Sequence, residues 1–345
     1  MGTNYDAFLL VSFGGPEGPD DVLPFLENVL RGRNVPRERM LAVAEHYRQF
    51  GGVSPINAQN RDLLAAVRDE FAAAGLHLPI YWGNRNWHPL LPATLRQMQA
   101  DGVGRAIAFF TSAFSSYSGC RQYRENIAAA QEQVAPPAPQ VDKLRAFFNH
   151  PGFIEPMIEQ TAAALAQIPP ERRAAARLLF SAHSIPLAMA QNCRYEEHFR
   201  EASRLVAEGV GHANWQLVYQ SRSGPPTQPW LAPDVVETIE ALGPAARQEP
   251  RPPDVVVVPI GFVSDHMEVL YDLDEEAALQ AAEVGIHFVR ARTVGTHPRF
   301  VRMIRELVEE RLSENPQRLA LGAMGPSHDV CPVDCCGYDP RRPNG

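Results

Sequence analysis

The sequence predicts an α/β protein of two Rossmann-like domains, each a parallel sheet flanked by helices. Three observations carry that prediction. Strand-length apolar runs recur along the chain, the runs are near-continuous rather than alternating, and helical patterns stand between them. A strand that is apolar on both sides is covered on both faces, as in a parallel sheet. Strands that alternate with helices build doubly wound sheets.

In chain order, the first run covers residues 7–13 and opens onto "GGPEG". "SPINAQNRDLLAAVRDEFAAAG" follows, with apolar residues three and four apart, which is the spacing of an amphipathic helix. Runs at 79–85 and 105–114 supply further strands of the first half. "QEQVAPPAPQVDKL" reads as a loop because of its prolines, and it divides the chain. The expected units are 1–150, 151–320 and a Cys-containing tail at 321–345. In the second half the runs lie at 176–183, 215–221, 254–262 and 286–292, ahead of the helical pattern "HPRFVRMIRELVEERL". The halves open alike, "LLVSFGGP" against "LLFSAHSIP", as a weak internal duplication would leave them. Ligands in such folds bind beyond the carboxyl ends of the strands. Ser12-Phe13, His183-Ser184, Ser221-Arg222 and residues 264–268 all fall at such ends.

The totals exclude several classes. A length of 345 residues suits about two domains. Hydrophobic residues at 45% and charged residues at 21% are the proportions of a soluble globular chain. A net charge of −8 with no Lys/Arg block argues against nucleic acid as a partner. No apolar run is long enough for an integral membrane segment, and no basic-then-apolar leader opens the chain, so a cytoplasmic protein is expected. "SFGGPEG" is not a Gly-x-Gly-x-x-Gly fingerprint and no Walker sequence occurs, so a nucleotide site is not expected. The five cysteines are an odd number, and Cys331, Cys335 and Cys336 fall close together in the tail. That is no disulfide framework, and clustered thiols in a reducing compartment raise the question of a metal.

The densest chemistry lies in "GFVSDHMEVLYDLDEE", residues 261–276, just past the strand-like "DVVVVP". If the segment is helical, Glu268, Asp272 and Glu276 fall at i, i+4 and i+8 and line one face. Like charges so placed repel, and a stripe of them is ordinarily a solvated surface. Here Met267, Val269 and Leu270 surround Glu268, and a carboxylate in such a half-buried setting wants a cation or a proton. His183 ends a strand and precedes Ser184-Ile185-Pro186, so a turn there can aim the imidazole into a cleft. Imidazole with carboxylate suits borderline divalent metals such as Fe(II), Co(II) or Zn(II). No His-Glu-x-x-His helix and no zinc-finger quartet occurs. Few protein ligands fit a transient metal better than a permanent one.

With "GGVSPIN", "FSAHSIP", "QSRSGPPTQPWL" and "FVSDHMEVLYDLDEE" in this order, the chain resembles the ferrochelatases, which insert ferrous iron into a porphyrin. The resemblance runs from the first strand to about residue 312. "RGRNVPRERM" and "SAFSSYSGCRQYRENI" resemble actinobacterial members, which generally make coproheme from coproporphyrin III. The resemblance implies a chelatase-like fold with the porphyrin in a cleft between the two domains and Fe2+ as substrate. It implies that His183 is the proton acceptor or iron ligand and Glu268 the carboxylate facing it. Asp272 and Glu276 would be an acidic line passing metal ions or protons. Ser54 and Tyr123 match porphyrin-contacting positions, Arg31 and Tyr47 lie in segments that meet the propionate edge, and His88 falls in a site-lining stretch. Phe13 stands where some relatives have Tyr, and Leu30 where some have Arg.

Several ferrochelatases hold a [2Fe–2S] cluster on three tail cysteines and one from the body of the chain. By the same resemblance Cys331, Cys335 and Cys336 would be the tail ligands, Cys120 the remote one and Cys193 spare. Free tail thiols and structural zinc are the alternatives. The expected partners are the porphyrin, ferrous iron and a downstream haem-pathway enzyme. The rival functions are insertion into protoporphyrin IX and a non-enzymatic haem or porphyrin carrier, which would need an axial ligand but no acidic line.

Overall fold

A computed structural model describes residues 4–32, 35–224, 227–248 and 253–339. Two four-stranded parallel sheets form, and they share one topology. The first comprises β1 (Ala7–Ser12), β2 (Ile80–Asn84), β3 (Arg105–Phe110) and β4 (Gln140–Lys143), in the order β2-β1-β3-β4. The second comprises β5 (Arg177–His183), β6 (Trp215–Gln220), β7 (Asp254–Val258) and β8 (His287–Arg290), in the order β6-β5-β7-β8. Each sheet starts in its interior, adds a strand on one side and then crosses to the other. The strand order therefore reverses between β1 and β3 and again between β5 and β7, and such reversals open the crevices in which ligands bind.

The apolar runs explain the strands. β1 and β7 are buried at every residue, and β5 at all but its ends. Burying each Val or Leu side chain contributes about 1.5–3 kcal/mol relative to exposure, which holds both faces of these strands inside the protein. Two strands stop earlier than the apolar runs suggest. Pro259 has no N–H for the ladder, and the chain turns at once, with the Ile260 N–H donating to the Val258 carbonyl. After Phe110 the Ser112 N–H makes the same kind of turn onto the Phe110 carbonyl.

β4 was not expected, because it lies inside the proline-marked segment read as a loop. It pairs only with β3, from Arg105 opposite Gln140 to Ala108 opposite Lys143. An edge strand of four residues carries too short a pattern to stand out beside the prolines that precede it. The two halves also share a core. Phe8, Leu10, Phe71 and Phe109 of the first half join Leu178, Phe180, Phe300 and Met303 of the second in one continuous apolar cluster.

The tail is tied to the body of the protein instead of hanging free. Asn149 Nδ2 donates to the carbonyls of Leu321 (3.0 Å) and Gly325 (2.9 Å), and the Leu321 N–H returns to the Asn149 carbonyl at 2.8 Å. Arg121 Nη1 donates to the carbonyls of Val333 (3.1 Å) and Cys335 (3.3 Å). Tyr338 packs edge-on to Tyr117 with ring centres 5.7 Å apart. The backbone carbonyls the tail offers to Asn149 and Arg121 leave no residue-type signature in the sequence.

Candidate active site and thiol pocket

The second sheet places His183 as the last residue of β5, beside the reversal between β5 and β7. The chain leaving β7 returns over that point as a short helix, Met267–Val269, followed by a π-helix, Leu270–Ala277, and then the α-helix Ala278–Val284. His266 caps this run, its Nδ1 accepting the Glu268 N–H at 3.2 Å. Desolvation by burial lowers the His266 pKa, which suits a ring that accepts at Nδ1. A cap of this kind fixes the first turn and with it the direction of Glu268.

His183 Nδ1 lies 2.5 Å from the Ser184 carbonyl. A carbonyl only accepts, so Nδ1 carries the proton and Nε2 keeps its lone pair. That lone pair faces Glu268, with Nε2 and Oε2 3.7 Å apart. The separation exceeds hydrogen-bond range. Two electron-pair donors aimed at one another are satisfied by a cation or a proton between them. Ligand bonds of about 2.0–2.2 Å to each would span the distance at a bent angle. Both side chains remain partly exposed, His183 at 33% and Glu268 at 48%, so the pair is open to the cleft.

Asp272 lies deeper. It accepts from the Ser221 hydroxyl and from Gln220 Nε2 at 3.3 Å, while the same amide donates to the Glu268 carbonyl at 3.2 Å. Gln220 ends β6 beside His183, and Ser221 holds a left-handed backbone (φ 61°) that turns its hydroxyl to the carboxylate. Burial pushes the Asp272 carboxyl up to about 7; Ser221 and Gln220 oppose the rise, and the charges of Glu268 and Glu276 add to it. Glu276 is exposed at the outer end of the stripe. The acidic line expected on an α-helix is thus carried largely by a π-helix, which the four-residue spacing alone does not reveal.

The sign of that shift sets a prediction. A carboxyl raised to about 7 contributes stability below its unfolded pKa near 4, and this is lost as pH rises through 7. Asp272→Asn keeps an acceptor for Ser221 and Gln220 but has nothing to ionise. At pH 8 the variant should be more stable than the parent by about 1–3 kcal/mol, with no difference below pH 4. Denaturant midpoints at the two pH values check this, and an equal gap at both would refute it. The same variant should need more iron for half-maximal rate; an unchanged iron dependence would reduce the line to a solvated face.

The first half closes over this region. In the Arg37–Gln49 helix, His46 stacks on Tyr271 of the π-helix at 3.8 Å and 10°. Burial raises the Tyr47 phenol well above its ordinary range, and the Glu268 charge adds to the effect. Tyr123 is buried against Phe110, and the Arg85 guanidinium lies over its ring at 4.4 Å and over Phe13 at 5.6 Å. Ser54 is buried at the turn entering the Ile56–Ala73 helix, where a Cβ on Gly15 would meet its side chain at 2.7 Å. His88 is exposed, and its carbonyl accepts from Asn57 and Asn84. Arg31 is exposed just past the Val22–Val29 helix. Within the quoted motifs, Arg33, Asn34, Pro225 and Pro226 lie outside the described residues. Sequence reasoning brought out His183, Glu268, Asp272 and Tyr47, named Ser221 only as a strand end, and missed Gln220, His46, Tyr271 and Arg85. The strand end at Ser221 was the one signal that pointed to Gln220 beside it.

A second cluster lies on the first half. Cys120, in the π-helical turn Tyr117–Arg121, neighbours Cys331. Cys335 Sγ lies 3.6 Å from Cys336 Sγ and 3.9 Å from His328 Nε2. All five cysteines are free thiols. The neighbouring Cys120, with Lys143, His328 and Arg124 nearby, lowers the Cys331 thiol against the burial that raises it, while Cys331 and burial raise Cys120. Cys193 donates to the Met189 carbonyl at 3.2 Å, and burial pushes it up to about 11.

Two parallel-sheet halves, with imidazole opposite carboxylate at a sheet reversal, define a metal-chelatase. The fold is shared with the sirohydrochlorin chelatase SirB of Bacillus subtilis. The Fe3+-containing structure of that protein aligns with a TM-score of 0.54 at 10% identity, over 90% of this chain and 96% of that one. The ferrochelatase family profile matches residues 5–312. A ferrochelatase of Rhodopirellula baltica is 62% identical over 339 residues, covering 98% of this chain and 95% of its own. A coproporphyrin III ferrochelatase of Streptomyces coelicolor is 53% identical over 362 residues, covering 98% and 95%. One from Frankia alni is 54% identical over 350 residues, covering 98% and 87%. The chain belongs to the ferrochelatase family. Among the described residues no helix is long and apolar enough to cross a membrane.

Proposed function

We propose that the protein inserts ferrous iron into coproporphyrin III, giving coproheme, with His183 and Glu268 at the point of insertion. The observation that carries this reading is the opposition of His183 Nε2 and Glu268 Oε2 at 3.7 Å, beside a sheet reversal that opens a cleft. Insertion releases the pyrrole N–H protons of the free-base ring. The His183 lone pair is an acceptor for them, with Ser184 fixing the tautomer. Glu268 is the countercharge to the arriving cation. Asp272 and Glu276 supply a line of carboxylates along which iron moves in and protons move out. Tyr123, Ser54, Tyr47 and His88 form the porphyrin side of the cleft, and Arg31 meets a propionate. The relevant units are residues 1–150, residues 151–320 and the 321–345 tail.

The substrate choice rests on relatives about half identical over nearly the whole chain that are coproporphyrin III ferrochelatases. It is tested by an insertion assay on the two porphyrins. Coproporphyrin III, with four propionates to engage, should turn over faster than protoporphyrin IX, and Arg31→Ala should raise KM for the porphyrin more than for iron. Faster turnover of protoporphyrin IX would overturn the assignment.

The thiol pocket fits a [2Fe–2S] cluster. Cys120 meets Cys331, and Cys335 meets Cys336, so four soft donors converge as two pairs with no disulfide among them. When bound, such a cluster supplies one-electron chemistry and a crosslink from the tail to the first half. The pure protein should be reddish-brown. Cys120, Cys331, Cys335 or Cys336→Ser should bleach it, and Cys193→Ser should not. A colourless, iron-free preparation from anaerobic, iron-replete cells would refute the cluster and leave the insertion site standing.

A further inference from the structure

The tail offers one donor more than the four-thiolate set uses. His328 Nε2, Cys331 Sγ and Cys335 Sγ lie within 4.8 Å of one another, on a His-x2-Cys-x3-Cys stretch whose backbone is pinned by Arg121. Cys120 of the first half neighbours Cys331 but lies outside that 4.8 Å set, so it would have to close on the triad as the fourth donor. We propose that His328, Cys331, Cys335 and Cys120 form a mononuclear site for a divalent transition metal, of the Cys3His type that takes zinc or ferrous iron.

Bond lengths support this. Tetrahedral zinc with sulfur ligands at ~2.3 Å and nitrogen at ~2.0–2.1 Å needs donors roughly 3.5–3.8 Å apart. His328 and Cys335 already stand at 3.9 Å, and the whole triad needs to contract by no more than about 1 Å. His328 is exposed and the two cysteines are half-buried, so a metal can reach them from solvent. Cys336 is not among the donors within 4.8 Å of one another: it is buried, and its thiol meets Cys335 at 3.6 Å. The site shares three thiols with the cluster and differs by exchanging Cys336 for His328. It does not depend on the cluster, and one pocket would hold either occupant. Binding releases the thiol proton of each neutral Cys ligand to solvent, with no change of oxidation state.

The test is titration of the full-length chain with Co2+ alone, anaerobically, after bound iron has been removed. Thiolate-to-cobalt charge-transfer bands with intense visible bands would report a tetrahedral thiolate site. The His183–Glu268 pair contains no sulfur and cannot produce the former. His328→Ala should weaken this binding at least about tenfold, since even outer-shell partners of metal sites change affinity by 10–100-fold. Cys336→Ser should bleach the cluster in protein as purified and leave the cobalt spectrum unchanged. Cobalt binding in His328→Ala equal to the parent, or loss of the cobalt site in Cys336→Ser, would overturn the proposal. Loss of colour in the purified parent protein would count against the cluster alone.

Discussion

Replacing His183 with alanine is expected to remove iron insertion, by about a thousandfold or more, while the protein stays folded. General-base catalysis alone contributes about 10²–10⁴-fold, and under the proposed function the same ring is one of the two groups that meet the iron. The side chain is one-third exposed at a strand end, so its loss leaves no buried void. Glu268→Gln should lose most activity too, because the amide keeps the shape but not the charge. Stopped-flow insertion, with circular dichroism on the same samples, checks both. Turnover near the parent level in either variant would remove these residues from the site.

The second large effect concerns stability, far from the cleft. Arg145 and Glu310 form a buried bidentate pair, with side chains 1% and 6% exposed and both N–O distances 2.8 Å. Arg145 also donates to the Leu319 carbonyl at 2.8 Å, and its remaining Nη1 has no partner. Glu310→Ala would leave the guanidinium buried against one carbonyl, at an expected cost of about 3–5 kcal/mol. The double replacement Arg145→Met with Glu310→Leu should recover most of that loss, because it removes both charges together. Guanidinium unfolding of the parent and the two variants measures it. A loss below about 1 kcal/mol in Glu310→Ala would show that water reaches the pair.

Much of the architecture was legible because the physics that builds it is periodic. A strand covered on both faces must be nearly apolar throughout, as β1 and β7 are, and seven of the eight strands lie within apolar runs of the sequence. β4 escaped because its four residues, QVDK, offer one apolar side chain beside the prolines that precede them. At the site, residues with conspicuous chemistry at strand ends, His183 and the acids from Glu268 onward, could be read directly. The residues that position them could not, although Ser221 stood out as a strand end without a role. Gln220 and Ser221 act through hydrogen bonds to Asp272, and His46 acts by stacking on Tyr271, a contact between residues far apart in sequence. Such pairings depend on how the halves meet, which no local window encodes. The thiols were visible as a group, but the closeness of His328 to Cys335 depends on the path of the tail.

The π-helix at Leu270–Ala277 has a consequence for how this chain can change over generations. Its i to i+5 bonding takes up one more residue than an α-helical turn would, and such bulges recur at functional sites because they cost helix stability. Deleting one residue there would give a more regular helix. It would also swing either the carboxylates or the buried face of the following Ala278–Val284 helix, with Ala281 and Val284, out of place. Heat-resistance screens should therefore recover shortened, inactive descendants at this stretch, whereas lineages held to their turnover should keep its length fixed.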